Sequence, residues 1–166
     1  SFFNIMDDWG YFVDYGSITV NLNGKTQVIK VNSHTKLNTK RLAPKTYIAT
    51  LTFGGGYKHE PTTRTIKVIV KKATPKLTAK AKTFKKSIKT KKYQVTLKDN
   101  MNKVMKNTKV TLKVNKKTYT AKTNAKGVAT FKIKKLNKKG TFKSTVTFKG
   151  DKYYKKVSKK VNIKVK

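Results

Sequence analysis

The stretch FKSTVTFK (Phe142–Lys149) alternates between apolar or small residues and lysine or threonine. VNIKVK (Val161–Lys166) repeats the alternation. A period of two is typical of a β-strand that has one face in a core and one face in water. The pattern therefore predicts one inward and one outward set of side chains. Phe142, Ser144, Val146 and Phe148 enter the core, while Lys143, Thr145, Thr147 and Lys149 face water.

The chain carries a large positive charge. Its 166 residues include 42 Lys and Arg against 6 Asp and Glu, a formal net charge of +36. Such an excess attracts polyanions and opposes compaction. Low hydrophobicity with high net charge is a signature of disorder, but the regular alternation with Val, Ile, Phe, Tyr and Thr favours a β-sheet. There is no cysteine, which excludes disulfides and thiolate chemistry.

The sequence contains an internal repeat. Residues 3–32 align with residues 95–124 at a constant offset of 92 positions, and residues 46–53 and 66–70 align with 141–148 and 161–165 at an offset of 95. The repeat predicts two copies of one unit, with domains at 1–72 and 73–166. The second copy has a leading segment, residues 76–92, without a counterpart in the first. We therefore expect the first domain to lack its leading strand or strands.

Turn signals rich in Asn, Asp and Gly divide the second copy into short alternating segments. Seven short strands at this spacing predict a sandwich of two antiparallel sheets. The expected fold class is all-β, with two tandem immunoglobulin-like sandwiches. The predicted strands of the second copy are Leu77–Ala81, Tyr93–Lys98, Lys109–Val114, Lys117–Thr123, Val128–Lys134, Thr141–Phe148 and Lys159–Val165.

Three segments of the second copy resemble a known repeat. TYTAKTN (Thr118–Asn124), GVATF (Gly127–Phe131) and GTFKSTVTFKGDKYY (Gly140–Tyr154) are similar to the bacterial-type immunoglobulin-like repeats in adhesin-like surface proteins of methanogenic archaea. The resemblance covers nearly all of residues 74–166 and is looser over 2–72. It implies an immunoglobulin-like fold and a location outside the cell, at the cell surface or in the cell wall.

Four aromatic residues are assigned structural roles. Tyr47 fits a position where a tyrosine corner forms, with its hydroxyl bonded to nearby backbone. Phe142 occupies the matching position of the second copy and has no hydroxyl. Phe53 and Phe148 are a matched pair of predicted core positions.

The residues needed for catalysis are scarce. The second copy has no His, Cys or Glu, and its two acids, Asp99 and Asp151, fall in predicted turns. His34 and His59 of the first copy fall in loops without the three or four spaced ligands that zinc normally needs. We therefore predict no enzyme activity, no catalytic residue, no cofactor and no metal.

Asp7, Asp8 and Asp14 leave a calcium site open as an alternative, although Asp7 aligns with Asp99 at a junction where Asp commonly bonds its own backbone. An autocatalytic cross-link between Lys and Asn or Asp is a second open alternative. It would need a buried acid beside the pair, and no Asp or Glu occupies an apparent inward strand position.

The aromatic cluster WGYFVDY contains Trp9, Tyr11 and Tyr15. Rings in a loop can form a platform that stacks on sugars or bases. The competing interpretation is that they seal the end of a domain, since aromatic residues bury large areas and usually serve cores. Both interpretations stay open here.

The positive charge is concentrated in the second copy. Residues 1–72 hold 11 basic and 4 acidic side chains, a net +7, whereas residues 73–166 hold 31 basic and 2 acidic, a net +29. With only two arginines in the chain, the bidentate recognition that specific nucleic-acid binding uses is not expected. The partner predicted instead is an anionic cell-wall or surface polymer. The candidate contacts are Lys143, Lys149, Lys152, Lys155, Lys160 and Lys164.

These patterns lead to two hypotheses for function. The first is a non-catalytic stalk or adhesion module that spaces other domains and holds anionic polymer electrostatically. The second is an extracellular assembly in which a strand from a neighbouring chain completes the first domain by donor-strand complementation.

Overall fold

The computed structural model describes residues 2–3, 16–30, 35–39, 42–55 and 60–166. Every regular element among them is a β-strand, which confirms the all-β prediction, and none of them forms a helix capable of crossing a membrane. The chain divides into two compact units, residues 1–71 and 72–166. The strands are β1 (Phe2–Phe3), β2 (Ser17–Leu22), β3 (Lys25–Lys30), β4 (Thr35–Lys36), β5 (Lys45–Phe53), β6 (Thr62–Val70), β7 (Lys76–Thr78), β8 (Lys82–Phe84), β9 (Thr90–Lys98), β10 (Lys109–Val114), β11 (Lys117–Lys122), β12 (Val128–Lys134), β13 (Gly140–Phe148) and β14 (Val157–Val165).

The second unit is an immunoglobulin-like sandwich of two sheets. One sheet has the order β11-β10-β13-β14-β8, and the other has the order β12-β9-β7. All pairs are antiparallel except β14 with β8, which is parallel. The inward residues of both sheets form one core that includes Leu112, Phe131, Ile133 and Ile163, each with no exposed surface. Each such side chain contributes about 1.5 to 3 kcal/mol on burial.

The predicted strand Leu77–Ala81 is wrong in its extent. The chain forms β7 in one sheet, leaves it at Ala79, and resumes as β8 in the other sheet. Ala79 is buried at this crossing, and the hydroxyl of Tyr93 donates to the carbonyl of Lys80 at 2.8 Å. A small side chain and a fixed carbonyl let the backbone pass between the sheets, so the second unit has eight strands instead of seven.

The described part of the first unit forms a four-stranded sheet of order β3-β2-β5-β6 and a two-stranded pair, β1-β4. Ile18, Val20, Leu22 and Ala49 lie on the buried face of the larger sheet. The tyrosine corner is confirmed, because the hydroxyl of Tyr47 donates to the carbonyl of Ala43 at 2.8 Å. Whether this unit lacks a leading strand stays a prediction.

The repeat is confirmed in the larger sheet of each unit. β2 and β3 begin 92 positions before β10 and β11, and β5 and β6 begin 95 positions before β13 and β14. The pairing registers match under the same two offsets: Thr19 pairs with Thr52, and the equivalent Thr111 pairs with Thr147. The same backbone frame is therefore present twice with different side chains, and each copy serves as a control for the other.

Candidate functional site

The outer face of the five-stranded sheet in the second unit is one of two lysine-bearing faces that the strands build; the smaller sheet carries the other. Successive residues of a strand point to opposite faces, so the exposed positions of β10, β11, β13 and β14 share one side of the sheet, opposite the core. The lysines on this side are Lys109, Lys113, Lys122, Lys143, Lys160 and Lys164. We call these six residues the lysine face.

Hydroxyl residues separate most of these lysines. Lys113 pairs directly with Thr118 on one side and with Thr145 on the other, and Thr145 in turn pairs with Lys160. Like charges directly opposite each other destabilise a sheet; among these pairs that arrangement occurs only between Lys109 and Lys122, at the end of the ladder. The interleaving explains how the sheet tolerates so many cations.

A neighbouring row on the same face carries only hydroxyls. Thr120, Thr111, Thr147 and Ser158 follow one another across the four strands. The Thr147 and Ser158 hydroxyls are 3.0 Å apart, and the Thr111 hydroxyl donates to the carbonyl of Thr147 at 3.3 Å.

Strand spacing places nearby lysine backbones of the lysine face roughly 7 to 10 Å apart. This separation suits a polymer with repeated charges better than one small ion.

The structure divides the predicted candidate lysines into two groups. Lys143, Lys160 and Lys164 belong to the lysine face, whereas Lys149, Lys152 and Lys155 lie exposed in the connection between β13 and β14. Sequence reasoning missed the other three members of the face. The alternation in β10 and β11 shows that Lys109, Lys113 and Lys122 point outwards, but only the pairing of β10 with β13 places them beside the predicted ones.

The equivalent face of the first unit has lost most of the charge. Asn21 stands where the second unit has Lys113, Thr65 where it has Lys160, and Ser17 where it has Lys109. Ile48 and Ile69 replace two further lysines and are exposed to solvent. Lys30 and Lys67 remain as the lysines of this face. Since the same sheet forms in both units, the fold does not require the lysines of the second.

The two acids of the second unit shape turns at one pole of the sandwich. A side-chain oxygen of Asp99 accepts the N–H groups of Met101 and Lys103 at 2.8 and 2.9 Å. Asp151 accepts those of Tyr153 and Tyr154, both at 2.8 Å. Burial raises the pKa of Tyr154 above its ordinary value, and the two carboxylates raise it further. The turn-forming interpretation of Asp99 is therefore confirmed, and the same bonding describes Asp151.

The predicted structural aromatics of the second unit take the expected places. Phe148 is buried in the core, and Phe142 is half-buried and packs against that core. In the first unit Phe53 is half-buried against its own core. In the second unit, where Phe142 has no hydroxyl, other tyrosines bond the backbone: the hydroxyl of Tyr119 donates to the carbonyl of Lys134 at 2.9 Å.

Several predictions lie outside the described residues. They concern the aromatic platform of Trp9, Tyr11 and Tyr15, the carboxylates of Asp7, Asp8 and Asp14, and both histidines. In the ranges that the structure does describe, no group of three or more potential metal-ligating side chains comes together.

Comparison with known proteins identifies no family. No family model matches the chain, and no curated protein matches it. Among solved structures the chain is similar to a tetra-tandem repeat in the extending region of a large adhesion protein (12% identity, TM-score 0.46, 92% of this chain and 42% of that one). It is also similar to a Ca2+-stabilized adhesin with which an Antarctic bacterium binds ice (16% identity, TM-score 0.35, 93% and 41%), and to fibronectin(III)-like modules of Clostridium thermocellum CbhA (19% identity, TM-score 0.41, 92% and 79%).

The chain spans less than half the length of the two adhesin structures. With TM-scores under 0.5 and identities under 20%, these likenesses carry no argument about function.

Proposed function

We propose that the chain is a non-catalytic module of a cell-surface protein, in which the second unit holds an anionic cell-wall or surface polymer on its lysine face. The observation that carries the proposal is the contrast between two copies of one sheet. Six lysines occupy the outer face in the second unit, and five of these positions are uncharged in the first. Because the same sheet forms without those charges, the second unit does not need them to fold, and they are available for binding.

The expected contacts are individually weak. An exposed ion pair contributes about 0 to 1 kcal/mol, so attachment depends on several lysines acting together. The charges lie roughly one Debye length apart at physiological salt, which means that an approaching polyanion feels the face as a whole. Release of counterions makes such binding fall steeply as the salt concentration rises. An extended polymer on this face would also find hydrogen-bonding partners in the row of hydroxyl residues, Thr120, Thr111, Thr147 and Ser158.

The test uses the whole chain and a polyuronate, polygalacturonate, as the probe. The variant K109S/K113N/K160T replaces three lysines by the residues that the first unit carries at the same places. At about 0.5 kcal/mol for each contact it loses about 1.5 kcal/mol, or roughly tenfold in affinity. The matched control is K92Q/K132T/K134T, which removes three exposed lysines from β9 and β12, strands of the opposite sheet.

Affinity measured across a salt series decides the proposal. The lysine-face variant should bind less tightly and with a shallower salt dependence than the control. Equal weakening of the two variants would show that only net charge matters, and affinity indifferent to salt would remove the electrostatic explanation.

Assembly through the first unit is the second candidate function. In the described sheet β6 has a neighbour, β5, on one side, whereas its counterpart β14 pairs with both β13 and β8. A strand from a neighbouring chain could pair with β6 as β8 pairs with β14. Light scattering of the purified chain over a wide concentration range tests this; a monomer throughout would contradict it.

A further inference from the structure

A second cationic surface lies at one pole of the second unit, where it adjoins the lysine face at Lys164. An open cleft of about 780 Å3 forms where the turn after β8 meets the end of β14 and the connection between β12 and β13. Five of the seven residues that line it are lysines, and none has an acidic side chain. The lining residues are Lys85, Lys86, Ser87, Lys89, Asn137, Lys139 and Lys166.

Hydrogen bonds hold the wall of this cleft in place. The N–H of Lys86 donates to the carbonyl of Lys166 at 2.8 Å, and the N–H of Ile88 donates to the carbonyl of Lys85 at 3.2 Å. From the core side, the ammonium group of Lys91 donates to the carbonyl of Ile88 at 2.6 Å. These bonds fix the backbone of the cleft wall, while the side chains that line it are exposed to solvent.

The side chain of Lys91 lies behind the cleft. It pairs with Ile133 on the inner face of its sheet and has no exposed surface, unlike its neighbour Lys92. A charged group is buried at a large cost in free energy unless it is paired. The carbonyl oxygens of Lys86 and Ile88 accept hydrogen bonds from its Nζ, which offsets part of that cost. The pole therefore combines five surface lysines with a sixth that is held in the interior.

The acids of the second unit cannot neutralise this pole. Asp99 follows the last residue of β9, whereas Lys91 lies at the start of that strand. A nine-residue strand is about 27 Å long. Asp151 follows the end of β13, the strand whose start adjoins the cleft, and it lies close enough to Asp99 for both to raise the pKa of Tyr154. The two carboxylates therefore occupy the opposite pole.

We infer that the cleft binds a compact oxyanion with several negative charges, of the phosphate or polyphosphate class. Clefts lined by one sign of charge concentrate the field and attract counter-ions, and lysine serves as a point charge for phosphate. Ser87 and Asn137 add hydrogen-bonding groups to the cluster. The cleft adjoins the lysine face at Lys164 but shares no residue with it, and it does not depend on the function proposed above.

The test is calorimetric titration of the whole chain at physiological salt, with tripolyphosphate as the free anion and glucose 6-phosphate as a phosphate ester. We expect saturable one-to-one binding. The variant K86Q/K89Q/K139Q should weaken it at least about tenfold, whereas K109S/K113N/K160T should change it less than about threefold. In the unmodified chain, the backbone amide signals of Lys86 and Ile88 should shift on binding. Inorganic phosphate, whose charge is close to that of glucose 6-phosphate, is titrated as the reference for the source of the ligand. Tighter binding of inorganic phosphate points to a free anion as the natural ligand, and tighter binding of the ester points to a phosphorylated molecule.

The inference is overturned by any of three results: non-saturable binding of both probes, equal loss in the two variants, or amide shifts spread over the lysine face. Loss of polygalacturonate binding in K109S/K113N/K160T with tripolyphosphate binding intact would support both sites independently. The reverse result, with polygalacturonate bound through the cleft lysines, would contradict the function proposed above and leave the cleft as the anion site.

Discussion

The hairpin between β10 and β11 offers a substitution that should stabilise the protein. Its two turn residues, Asn115 and Lys116, have φ angles of 47° and 62°. A two-residue turn with positive φ at both positions is type I′, which favours Asn followed by Gly. The first unit has that pair, Asn23 and Gly24, in the equivalent hairpin. We therefore expect Lys116→Gly to stabilise the second unit.

The magnitude follows from two opposing terms. A left-handed conformation costs a side-chain-bearing residue about 1 to 2 kcal/mol, while glycine increases the entropy of the unfolded chain by the equivalent of about 0.4 to 1 kcal/mol. Lys116 is exposed, so little packing is lost. The expected gain is about 0.5 to 1 kcal/mol, or about 2 to 8 °C in melting temperature for a domain of this size.

The assay is denaturant unfolding followed by the amide NMR signals of residues 72–166, because Trp9, the single tryptophan of the sequence, belongs to the other unit. Lys132→Gly is the matched control: it removes an exposed lysine inside strand β12, where glycine should destabilise by about 0.5 to 1 kcal/mol. A loss of stability in Lys116→Gly similar to that of the control would refute the reasoning.

Three further predictions concern turns and ionisation. Gly127→Ala should destabilise the second unit by more than about 2 kcal/mol, because φ is +74° and a Cβ would lie 2.9 Å from the carbonyl oxygen of Leu97. Gly24→Ala is the control, because φ is +73° there and nothing lies within 4 Å, so only backbone strain of about 1 kcal/mol should remain. Equal losses of stability in denaturant unfolding would contradict this reasoning. Asp99→Ala should cost about 1 to 3 kcal/mol, because two backbone N–H groups lose their acceptor, whereas Asp99→Asn should retain most of the stability; urea midpoints that do not separate the two variants would count against the capping role. Replacing Asp99 and Asp151 together by Asn should lower the pKa of Tyr154 towards 10.0, since nearby negative charge disfavours the phenolate; NMR of the ring measures this pKa. The raised pKa in the native protein stabilises the fold below pH 10, and that contribution is lost as the pH rises through the folded-state pKa. An unchanged pKa in the double variant would leave burial as the whole cause of the shift.

The fold follows largely from local pattern. The alternation in Phe142–Lys149 identifies the inward residues of β13, and the turn residues mark the ends of β10 and β12 correctly to the residue. The two repeat offsets reproduce the strand pairings of both larger sheets. These features are legible because side-chain direction in a strand has a period of two and a turn requires particular residues.

The sequence by itself determined the strand faces, the repeat and the excess of lysine in the second unit. Only the tertiary structure decided which lysines act together, because Lys113 and Lys143 become neighbours through the pairing of β10 with β13, thirty positions apart in the chain. The sequence likewise does not reveal the buried Lys91 or the lysine cleft. A lysine at an inward strand position only interrupts the alternation, and its place in the core is explained once the carbonyls that accept its hydrogen bonds are located. Alternation specifies which side of a strand a residue occupies, whereas charge density depends on distances that strand pairing alone creates.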